Sequence, residues 1–483
     1  MRIGVVGAGI TGLATIHHCR KRGIEAVCFE ATGEPGGVIR SFRDGDRDDE
    51  AGQDNRDGRG NRGDRNDGDD RDRRDGRVLE AGPQRLRLTE GIEELIDDLD
   101  LRPAMLAARD DLPLYIYRDG RLREVPRSLR AFVRTDLLST RGKLRVFAEP
   151  LTAPGTPAES AAELFARKFG WEAYENLVGP IFGGTYGSDP ARMPARHALS
   201  GLLDLEAREG SLLKPALKRI VLGETPPPIS FEEGLGTLPR ALYDAHADRV
   251  YLDTPVTAIR QVGTNEDRAD RTADGGRGGT DGEGFVLVTP DGEHVVDRVV
   301  VTTDAATAAR LLDAVGIGGI DGLGALRYNP LAVVHLDSDF SGEGFGYQIR
   351  WDEPFETLGV TWNASLFDRK NVYTAFLGGM KSPNILDRED EALGKRAARE
   401  FEAVVSRNAR PLSVTRWEQG FPAYDASWDA LDELSLPEGM DLLTNYTARA
   451  GVSGRIGQAK RLAERVASEE GAESAVVEPA APE

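Results

Sequence analysis

The chain has 483 residues, of which 40 % are apolar, so it can build a sizeable core in two domains or in one large two-lobed enzyme. Its formal net charge of −20 repels nucleic acid and excludes a nucleic-acid-binding protein as the expected class. Acidic residues greatly outnumber Lys, which predicts a halophilic, haloarchaeal source; a GC-rich genome with an acidic bias is the alternative.

The cysteine and histidine content predicts neither a disulfide nor a metal site. Cys19 and Cys28 fall in a predicted helix and a predicted strand, and we interpret both as buried core residues. The six His show no spacing typical of metal ligands. The chain begins directly with a strand and contains no run of 18 apolar residues, so we expect no signal peptide and no transmembrane helix. A cytoplasmic protein is the resulting prediction.

The first 30 residues predict a strand, a Gly-rich turn, a helix and a second strand. Apolar runs at 3–6 and 27–29 give the two strands. Between them, Ile10, Leu13 and Ile16 recur at helical spacing. This order is the beginning of a parallel sheet with a crossover helix.

A polar run, residues 44–77, follows the turn "GEPGG" and contains one apolar residue, Ala51. It cannot form a packed core, so we predict a disordered insert. Phe42 before it and residues 78–79 after it are predicted to pair as two strands of a hairpin whose tip the insert replaces. Closure entropy grows only with the logarithm of loop length, so the hairpin is compatible with such an insert.

Helices dominate the prediction for the next part of the chain. Residues 91–100 predict a helix, and alternating apolar and polar residues around Asp119-Gly120 predict a hairpin. From 129 to 222 the pattern is helical, with Pro and Gly between the helices.

The last part of the chain predicts mainly strands. A second soft insert covers 263–284, and a second hairpin is predicted around Asp291-Gly292. Residues 325–420 predict alternating strands with one helix, 389–408. A strand, a turn and a helix end the fold, and the acidic tail after Ser468 is predicted to be disordered.

The turn "GAGITG" has the spacing of a dinucleotide-binding motif. Gly7 permits the tight turn, Gly9 lets backbone approach a pyrophosphate, and Gly12 allows close packing of helix on strand. Glu30 ends the second strand, where a carboxylate accepts from ribose hydroxyls and favours FAD or NAD over NADP. A Gly-rich turn without ligand is the alternative.

Two further segments favour FAD over NAD. In "GEPGGVIRS" a second Gly pair lets backbone pass beside an extended diphosphate, and Arg40 can reach the pyrophosphate or the flavin edge. In "AGVSGRIGQAKRLAERV" a Gly-containing turn starts a helix, whose positive end favours a nearby anion. A reduced flavin carries such a negative charge, so this helix end would favour oxidation of a substrate.

Together these and other segments resemble the flavin-dependent protoporphyrinogen/coproporphyrinogen oxidases of the flavin amine oxidase superfamily. The resemblance covers nearly the whole chain apart from the two inserts. It is carried by "GAGITGL", "GEPGGVIRS", "LEAGPQRLR", "FGGTYGSDPARMPARHAL", "FEEGLGTLPRAL" and "TNYTARAGVSGRIGQA". The segment "GTYGSDPARMPARHALSGLLDLEAREGSLL" is the most specific, because it resembles the porphyrinogen oxidases more than monoamine oxidases or carotenoid desaturases.

The resemblance implies an α/β fold, with a Rossmann-like FAD-binding domain and an interleaved α+β substrate-binding lobe. The FAD-binding domain is predicted from 1–90, 225–322 and 430–467, and the substrate lobe, with its helical region, from 91–224 and 323–429. In many relatives the helical region touches the membrane, so peripheral membrane contact is also implied.

The resemblance also implies the site residues. Those expected to hold non-covalent FAD are Gly7, Ala8, Gly9, Ile10, Thr11, Gly12, Glu30, Gly36, Gly37, Val38, Ile39, Arg40, Ser41, Val256, Tyr424, Gly451, Val452 and Ser453. Val256, in a predicted strand, would meet the adenine through its backbone; for Tyr424, ordinary packing is the alternative.

Three residues are expected at the substrate. Arg87 would pair with a substrate carboxylate, with a surface salt bridge as the alternative. Gly184 and Thr185 would let backbone approach a flat substrate, with a helix cap and turn as the alternative. The usual "GPRG" of the family is Gly82-Pro83-Gln84-Arg85 here, so its first arginine is missing.

The implied reaction oxidises a porphyrinogen to a porphyrin in three two-electron steps. In each step a hydride passes from a bridging carbon to flavin N5 and a proton leaves a pyrrole nitrogen, and dioxygen reoxidises the flavin to give hydrogen peroxide. No catalytic side chain is required beyond positioning, and no metal. Other implied partners are enzymes of haem biosynthesis. The alternatives are a carotenoid desaturase, an amine oxidase, or a non-catalytic protein that binds flavin or porphyrin.

Overall fold

The structure, a computed structural model, describes residues 1–45, 76–109, 111–222, 226–262, 284–447 and 451–476. Nearly all of the two predicted inserts, and residues 477–483 of the predicted tail, lie outside these ranges. The strands, in chain order, are β1 Arg2–Val6, β2 Glu25–Phe29, β3 Ser41–Arg43, β4 Val78–Glu80, β5 Leu86–Arg87, β6 Met105–Ala107, β7 Leu114–Arg118, β8 Arg121–Glu124, β9 Pro228–Phe231, β10 Val250–Tyr251, β11 Ala258–Gln261, β12 Phe285–Thr289, β13 Gly292–Val296, β14 Arg298–Val301, β15 Tyr328–Ser338, β16 Gly346–Ile349, β17 Thr357–Thr361, β18 Val372–Gly378, β19 Ala409–Pro422 and β20 Met440–Leu442.

The helices alternate with these strands and are concentrated between β8 and β9. In chain order they are α1 Ile10–Lys21, α2 Glu90–Asp98, α3 Leu129–Arg134, α4 Thr140–Phe147, α5 Ala161–Phe169, α6 Trp171–Ala173, α7 Gly179–Tyr186, α8 Ala195–Ala198, α9 Ser200–Glu209, α10 Leu213–Leu222, α11 Thr237–Ala245, α12 Ala305–Leu312, α13 Ile320–Gly324, α14 Asn363–Phe367, α15 Asp390–Val405 and α16 Val452–Val476. A π-helical turn, Tyr174–Val178, joins α6 to α7. The helical prediction for 129–222 is therefore confirmed.

A five-stranded sheet in the order β10-β2-β1-β14-β20 forms the first lobe, and all of its pairings are parallel. β1 is buried over four of its five residues, as expected for a strand that is covered on both faces. α1 follows β1 and packs with α16 over the sheet, where Ile16 and Ile456 share one core. Cys19 and Cys28 are both fully buried, so the prediction of core cysteines is confirmed.

A seven-stranded sheet forms the second lobe, in the order β19-β15-β18-β17-β16-β7-β8. Its pairings are antiparallel except between β16 and β7. α15 packs on it, with Phe401 buried against Tyr373. The hairpin predicted at Asp119-Gly120 is confirmed, since both residues have positive φ (50° and 72°), as a two-residue loop of this type requires.

Two three-stranded sheets accompany these two larger ones. β11, β12 and β13 form an antiparallel sheet that contains the predicted hairpin at Asp291-Gly292. β5, β9 and β6 form the other antiparallel sheet, in which both β5 and β6 pair with residues 228–231. The parallel sheet takes its strands from 2–29, 250–301 and 440–442, while the predicted domain boundaries themselves stay predictions.

Two element predictions need correction. Residues 325–420 contain a second helix, α14, besides the predicted one, which is observed as α15. The last helix continues to Val476 and does not end at Ser468, because Glu and Ala in "SEEGAESAV" are good helix formers despite their charge and small size. Within the described ranges, no helix is both long and apolar enough to cross a bilayer.

The predicted hairpin before and after the polar run is present as β3 and β4. Phe42 pairs with Leu79, and the ladder continues beyond the strands, where the Asp44 N–H donates to the Arg77 carbonyl at 2.9 Å. Arg77 also donates to the Asp44 carboxylate at 2.5 Å. The pairing of the two strands thus continues up to Asp44 and Arg77, close to the two ends of residues 46–75.

We expect deletion of residues 46–75 to leave FAD binding unchanged. The deletion joins Gly45 to Gly76, which places a two-residue Gly-Gly loop between the paired residues Asp44 and Arg77. Gly-Gly is suited to the two-residue turns that match the twist of a hairpin. The ratio of flavin to protein absorbance measures the outcome, and loss of flavin would show that the run supports the site.

A histidine cluster links three helices on one side of the parallel sheet. His17 Nε2 lies 3.0 Å from Asp98 of α2, and His17 Nδ1 lies 3.1 Å from His246 after α11. His18 is fully buried beside His17. Burial lowers the pKa of His18 to about 4, helped by His17, Arg22 and Lys460 and opposed by Glu94. His246 is lowered to a pKa of about 4 by burial, His17 and Arg20, against Asp248.

We therefore expect stability to fall as the pH is lowered from 6.5 to 4. Between these pH values His18 binds a proton in the unfolded chain but not in the folded protein. The free energy of unfolding that neutral His18 contributes is therefore fully present above pH 6.5 and is lost as the pH falls towards 4. The contribution of His18 is roughly 3 kcal/mol. Chemical unfolding at pH 5 and 7.5 measures it, and His18→Leu should reduce the difference; an equal difference in both proteins would contradict the assignment.

Candidate cofactor and substrate site

The Gly-rich turn between β1 and α1 has the geometry of a phosphate-binding turn. Gly7 has φ +102°, and Gly9 is extended at the helix N-terminus. A Cβ on Gly12 would lie 1.9 Å from the Gly7 carbonyl oxygen, so only glycine lets the helix pack this closely. The first backbone N–H that is bonded inside the helix is that of Leu13, which donates to Gly9 O at 3.0 Å. The preceding N–H groups of residues 10–12 are thus available to an anion.

Open space lies in front of this helix end. A Cβ on Gly9 would meet no atom of the residues that the structure describes within 4 Å. Gly9 has φ −68° and ψ 177°, so its backbone does not itself require glycine. The absence of a side chain at Gly9 therefore keeps a cradle free, and this fits the pyrophosphate of a dinucleotide.

Glu30 follows β2 at the same edge of the sheet. Its Oε2 accepts from the Ala8 N–H at 2.8 Å, and its Oε1 accepts from the N–H and hydroxyl of Thr32 at 3.0 and 2.9 Å. Four lone-pair positions are available on a carboxylate, so Oε2 can accept one more hydrogen bond. The arrangement orients Glu30 and leaves it able to accept from a ribose hydroxyl.

The second Gly pair lies against the first turn. Gly36 and Gly37 have φ of +111° and +62°, and the Gly36 N–H donates to the Ala8 carbonyl at 2.8 Å. A Cβ on Gly37 would lie 3.4 Å from the Gly9 Cα. The two Gly-rich turns therefore form one continuous strip of bare backbone, as the sequence predicts for an extended diphosphate.

The residues after this pair have different environments. Val38 is exposed, whereas Ile39 is buried in the core, so any contact of Ile39 with a cofactor is made by its backbone. Arg40 is partly exposed, with Nε donating to the Gly37 carbonyl at 2.7 Å and Nη1 lying 3.5 Å from Glu34. Its predicted contact with the cofactor stays a prediction.

Ser41 belongs to a buried polar network that the sequence did not predict. Its hydroxyl donates to Glu80 at 2.5 Å and accepts from the Gly236 N–H at 2.8 Å. Glu80, fully buried, also accepts from Leu235 N–H at 3.0 Å and from Arg369 of the second lobe at 2.8 Å. This network fixes the hairpin that follows the Gly pair against both lobes.

Other predicted cofactor residues lie at or near the carboxyl edge of the parallel sheet. Val256 is not in a strand but in an extended link between β10 and β11, because Asp253 has positive φ and Pro255 lacks a ladder N–H. Gly451 precedes α16, followed by the partly buried Val452 and Ser453, and a Cβ on Gly451 would meet no atom of the described residues within 4 Å. The anion-stabilising role of this helix N-terminus stays a prediction.

Tyr424 is buried and held by aromatic neighbours. Its φ is +53°, its ring stacks on Trp428 at 4.4 Å, and Tyr186 meets it edge-on at 5.2 Å. The packing alternative for this residue thus has direct structural support, while a flavin contact stays a prediction.

Two residues near the turns escaped the sequence analysis. Thr302 follows β14, and its hydroxyl donates to the Val6 and Gly7 carbonyls at 2.9 and 3.0 Å. Arg455, in the first turns of α16, is 5 % exposed, and burial lowers its pKa to about 10. The arginine inside "GVSGRIG" was a visible signal, whereas nothing local marks Thr302.

The predicted substrate residues lie in two different elements of the structure. Arg87 lies in β5, is exposed, and donates to the Pro226 carbonyl at 3.0 Å. Gly184 lies inside α7, where a Cβ would come 1.9 Å from Gln348 Oε1 of the second sheet. Thr185 donates back to the Ile181 carbonyl at 2.6 Å. Gly184 thus packs against the end of a flexible side chain, and its substrate contact stays a prediction.

A parallel sheet with a Gly-rich phosphate turn, an acidic residue after the next strand and a second lobe are the features of a two-lobed dinucleotide-binding protein. The family described as flavin containing amine oxidoreductase matches residues 10–467, and the chain belongs to that family. FAD is accordingly its cofactor, and the cradle described above fits it. The predicted fold class is confirmed.

Known proteins similar to the chain include two curated enzymes. Protoporphyrinogen oxidase 2, chloroplastic/mitochondrial, from Arabidopsis thaliana is 25 % identical over 89 % of this chain and 86 % of its own length. Coproporphyrinogen III oxidase from Bacillus subtilis is 23 % identical over 87 % of each chain. A crystal structure from Exiguobacterium sp. 255-15 that carries the provisional name protoporphyrinogen oxidase has a TM-score of 0.71, with 21 % identity over 97 % of this chain and 99 % of that chain. The predicted resemblance to the porphyrinogen oxidases is confirmed.

Proposed function

We propose that the protein oxidises a porphyrinogen to the corresponding porphyrin, with dioxygen as electron acceptor. The observation that carries this proposal is the course of the segment "EAGPQRLR". A Cβ on Gly82 would lie 2.4 Å from the Val38 carbonyl oxygen, so the segment starts against the cofactor turn. Arg87 follows five residues later, which is at most about 17 Å along an extended chain. A cation for a propionate thus lies within reach of the cofactor site.

The protein's own residues would bind and orient the two reactants. Bound FAD supplies the chemistry, since it accepts a hydride from the substrate and passes the electrons on. The N-termini of α1 and α16 offer N–H groups to its phosphates and to its anionic form, and Glu30 accepts from the ribose. Arg87 holds a substrate carboxylate, and the lobes keep water from the macrocycle. Positioning of this kind needs no side-chain acid or base of matched pKa.

Anaerobic reduction of the flavin tests this proposal. Addition of protoporphyrinogen or coproporphyrinogen under argon should bleach the flavin absorbance, and air should restore it with release of hydrogen peroxide. A failure of both porphyrinogens to bleach the flavin would refute the proposal. Bleaching by an amine or a polyene instead would identify the carotenoid desaturase or amine oxidase alternative.

We further propose that the helical region docks on an anionic membrane surface. Large apolar side chains are exposed there, including Leu144 at 66 % and Leu151 at 89 %. Residues 127–145 carry six Arg or Lys and one Asp, although the whole chain has a net charge of −20. Exposed apolar side chains beside cations suit an interface with anionic lipid.

Vesicle flotation tests this contact. We expect the protein to float with anionic vesicles, and less with neutral ones. Leu144→Glu combined with Leu151→Glu should abolish flotation without loss of flavin, since both side chains face solvent. Equal flotation of the variant would contradict the proposed surface.

A further inference from the structure

Arg85 stands at the departure from the family motif and is partly buried. Burial together with Arg87 lowers its pKa to about 10. Among the described residues, no hydrogen bond or ion pair to Arg85 is present. A partly buried guanidinium without a protein partner is available to an anionic ligand.

The neighbouring Gln84 explains why Arg85 is the available cation. Gln84 donates to the carbonyls of Glu80 and Gly82 at 3.2 and 2.9 Å. Its Oε1 accepts from Asn363 and Thr374 of the second lobe, each at 2.9 Å. Gln84 is therefore fully used in joining the lobes and cannot reach a ligand.

Arg85 is surrounded by further cations and by an aromatic ring. Its guanidinium carbon lies 5.4 Å from the centre of the Phe345 ring, and that of Arg127 lies 5.8 Å from the same centre. Arg127 and Arg87 are exposed, and Arg127 donates to the Leu112 carbonyl at 2.7 Å. Three arginines thus lie near one another, two of them beside an apolar ring, in a chain of strongly negative charge. Such a site favours carboxylate arms on an apolar ligand.

We propose that Arg85, supported by Arg127, is a second carboxylate anchor that gives this enzyme a preference for tetracarboxylate over dicarboxylate porphyrinogens. The preference rests on the proposed porphyrinogen oxidation. Arg85 lies three residues from Gly82, roughly 10 Å along the chain from the cofactor turn. A macrocycle held by one propionate at Arg87 can therefore place another arm at Arg85.

Steady-state kinetics of the holoenzyme with coproporphyrinogen and protoporphyrinogen test this inference. Arg85→Met removes the charge but keeps a chain that can pack on Phe345. We expect it to raise KM for coproporphyrinogen about tenfold or more, as expected for a lost charged hydrogen bond, and KM for protoporphyrinogen much less. The kcat values should stay within about twofold, since binding is lost equally in ground and transition states. Arg85→Lys should restore most of the difference.

The outcomes separate the possibilities. An unchanged ratio of the two KM values in Arg85→Met would overturn the preference, and the exposed Arg130→Met is the matched control with no expected effect. If Arg85→Met loses flavin or fails to fold, Arg127→Met must show the same substrate-selective rise for the inference to stand. If the unaltered enzyme oxidises neither porphyrinogen, the proposed function fails, and binding of coproporphyrin to the two Arg85 variants then decides the site by itself.

Discussion

Replacing Gly9 by valine is expected to give a folded protein without bound FAD. The backbone of Gly9 has φ −68°, which valine adopts, and in the described part of the chain no atom lies within 4 Å of the position that a Cβ would take. The same space is where backbone must approach the pyrophosphate, so a side chain displaces the cofactor and not the protein. Flavin absorbance in the purified protein should fall below about a tenth of the normal ratio, while chemical unfolding of the flavin-free proteins should be unchanged.

Gly12→Val is the matched control. It tests whether the same turn needs a glycine for close packing of the helix, rather than for approach of the cofactor. A Cβ on Gly12 would come 1.9 Å from Gly7 O and 3.3 Å from Val5, so this variant should be destabilised even without flavin. A stable Gly12→Val protein that binds FAD, or a Gly9→Val protein that stays yellow, would contradict the assigned roles of the two glycines.

The cofactor turn was predictable because its signal is local. Gly7, Gly9 and Gly12 each answer a requirement within one turn, and Glu30 lies one strand later. The hairpin at Asp119-Gly120 was predictable for the same reason, since positive φ at both positions selects those residue types.

Gly184 shows where the sequence could not decide. Glycine is required both where backbone approaches a ligand and where a helix packs closely on a sheet, and one sequence does not distinguish the two. The structure adds a packing contact with Gln348, 164 positions later in the chain, which no local pattern marks.

The hydrogen-bond network between the lobes could not be predicted from the sequence, for a different reason. Arg369 and Glu80 are 289 positions apart, and neither residue lies in a pattern that marks it as paired. In the sequence, Gln84 showed only that the first arginine of the family motif is missing. In the structure its amide forms hydrogen bonds with Gly82, Asn363 and Thr374. Long-range partners of this kind become visible only when the topology brings the segments together.

The buried pair Glu80–Arg369 is expected to have the largest effect on stability. Both side chains are nearly inaccessible, at 1 and 6 % exposure, and Arg369 also donates to Ser230 at 2.7 Å. Arg369→Met would leave Glu80 buried without its cation, which costs about 3–5 kcal/mol of the free energy of unfolding. As a control, Lys395→Met removes an exposed ion pair with Glu391 and should change that free energy by less than about 1 kcal/mol.

A double-mutant cycle shows whether the loss comes from the uncompensated charge. Glu80→Gln with Arg369→Met should be less destabilised than the sum of the single variants, because no buried charge remains. Burial already raises the pKa of Glu80 above its ordinary value, and loss of Arg369 raises it further. The Arg369→Met protein should therefore recover stability as the pH falls from 8 to 5, since a carboxyl with a raised folded-state pKa favours folding in its protonated form. Arg369 would act through packing and not through its charge if two results were found. The losses in free energy of unfolding of the two single variants would add up in the double variant, and the loss in Arg369→Met would not change with pH.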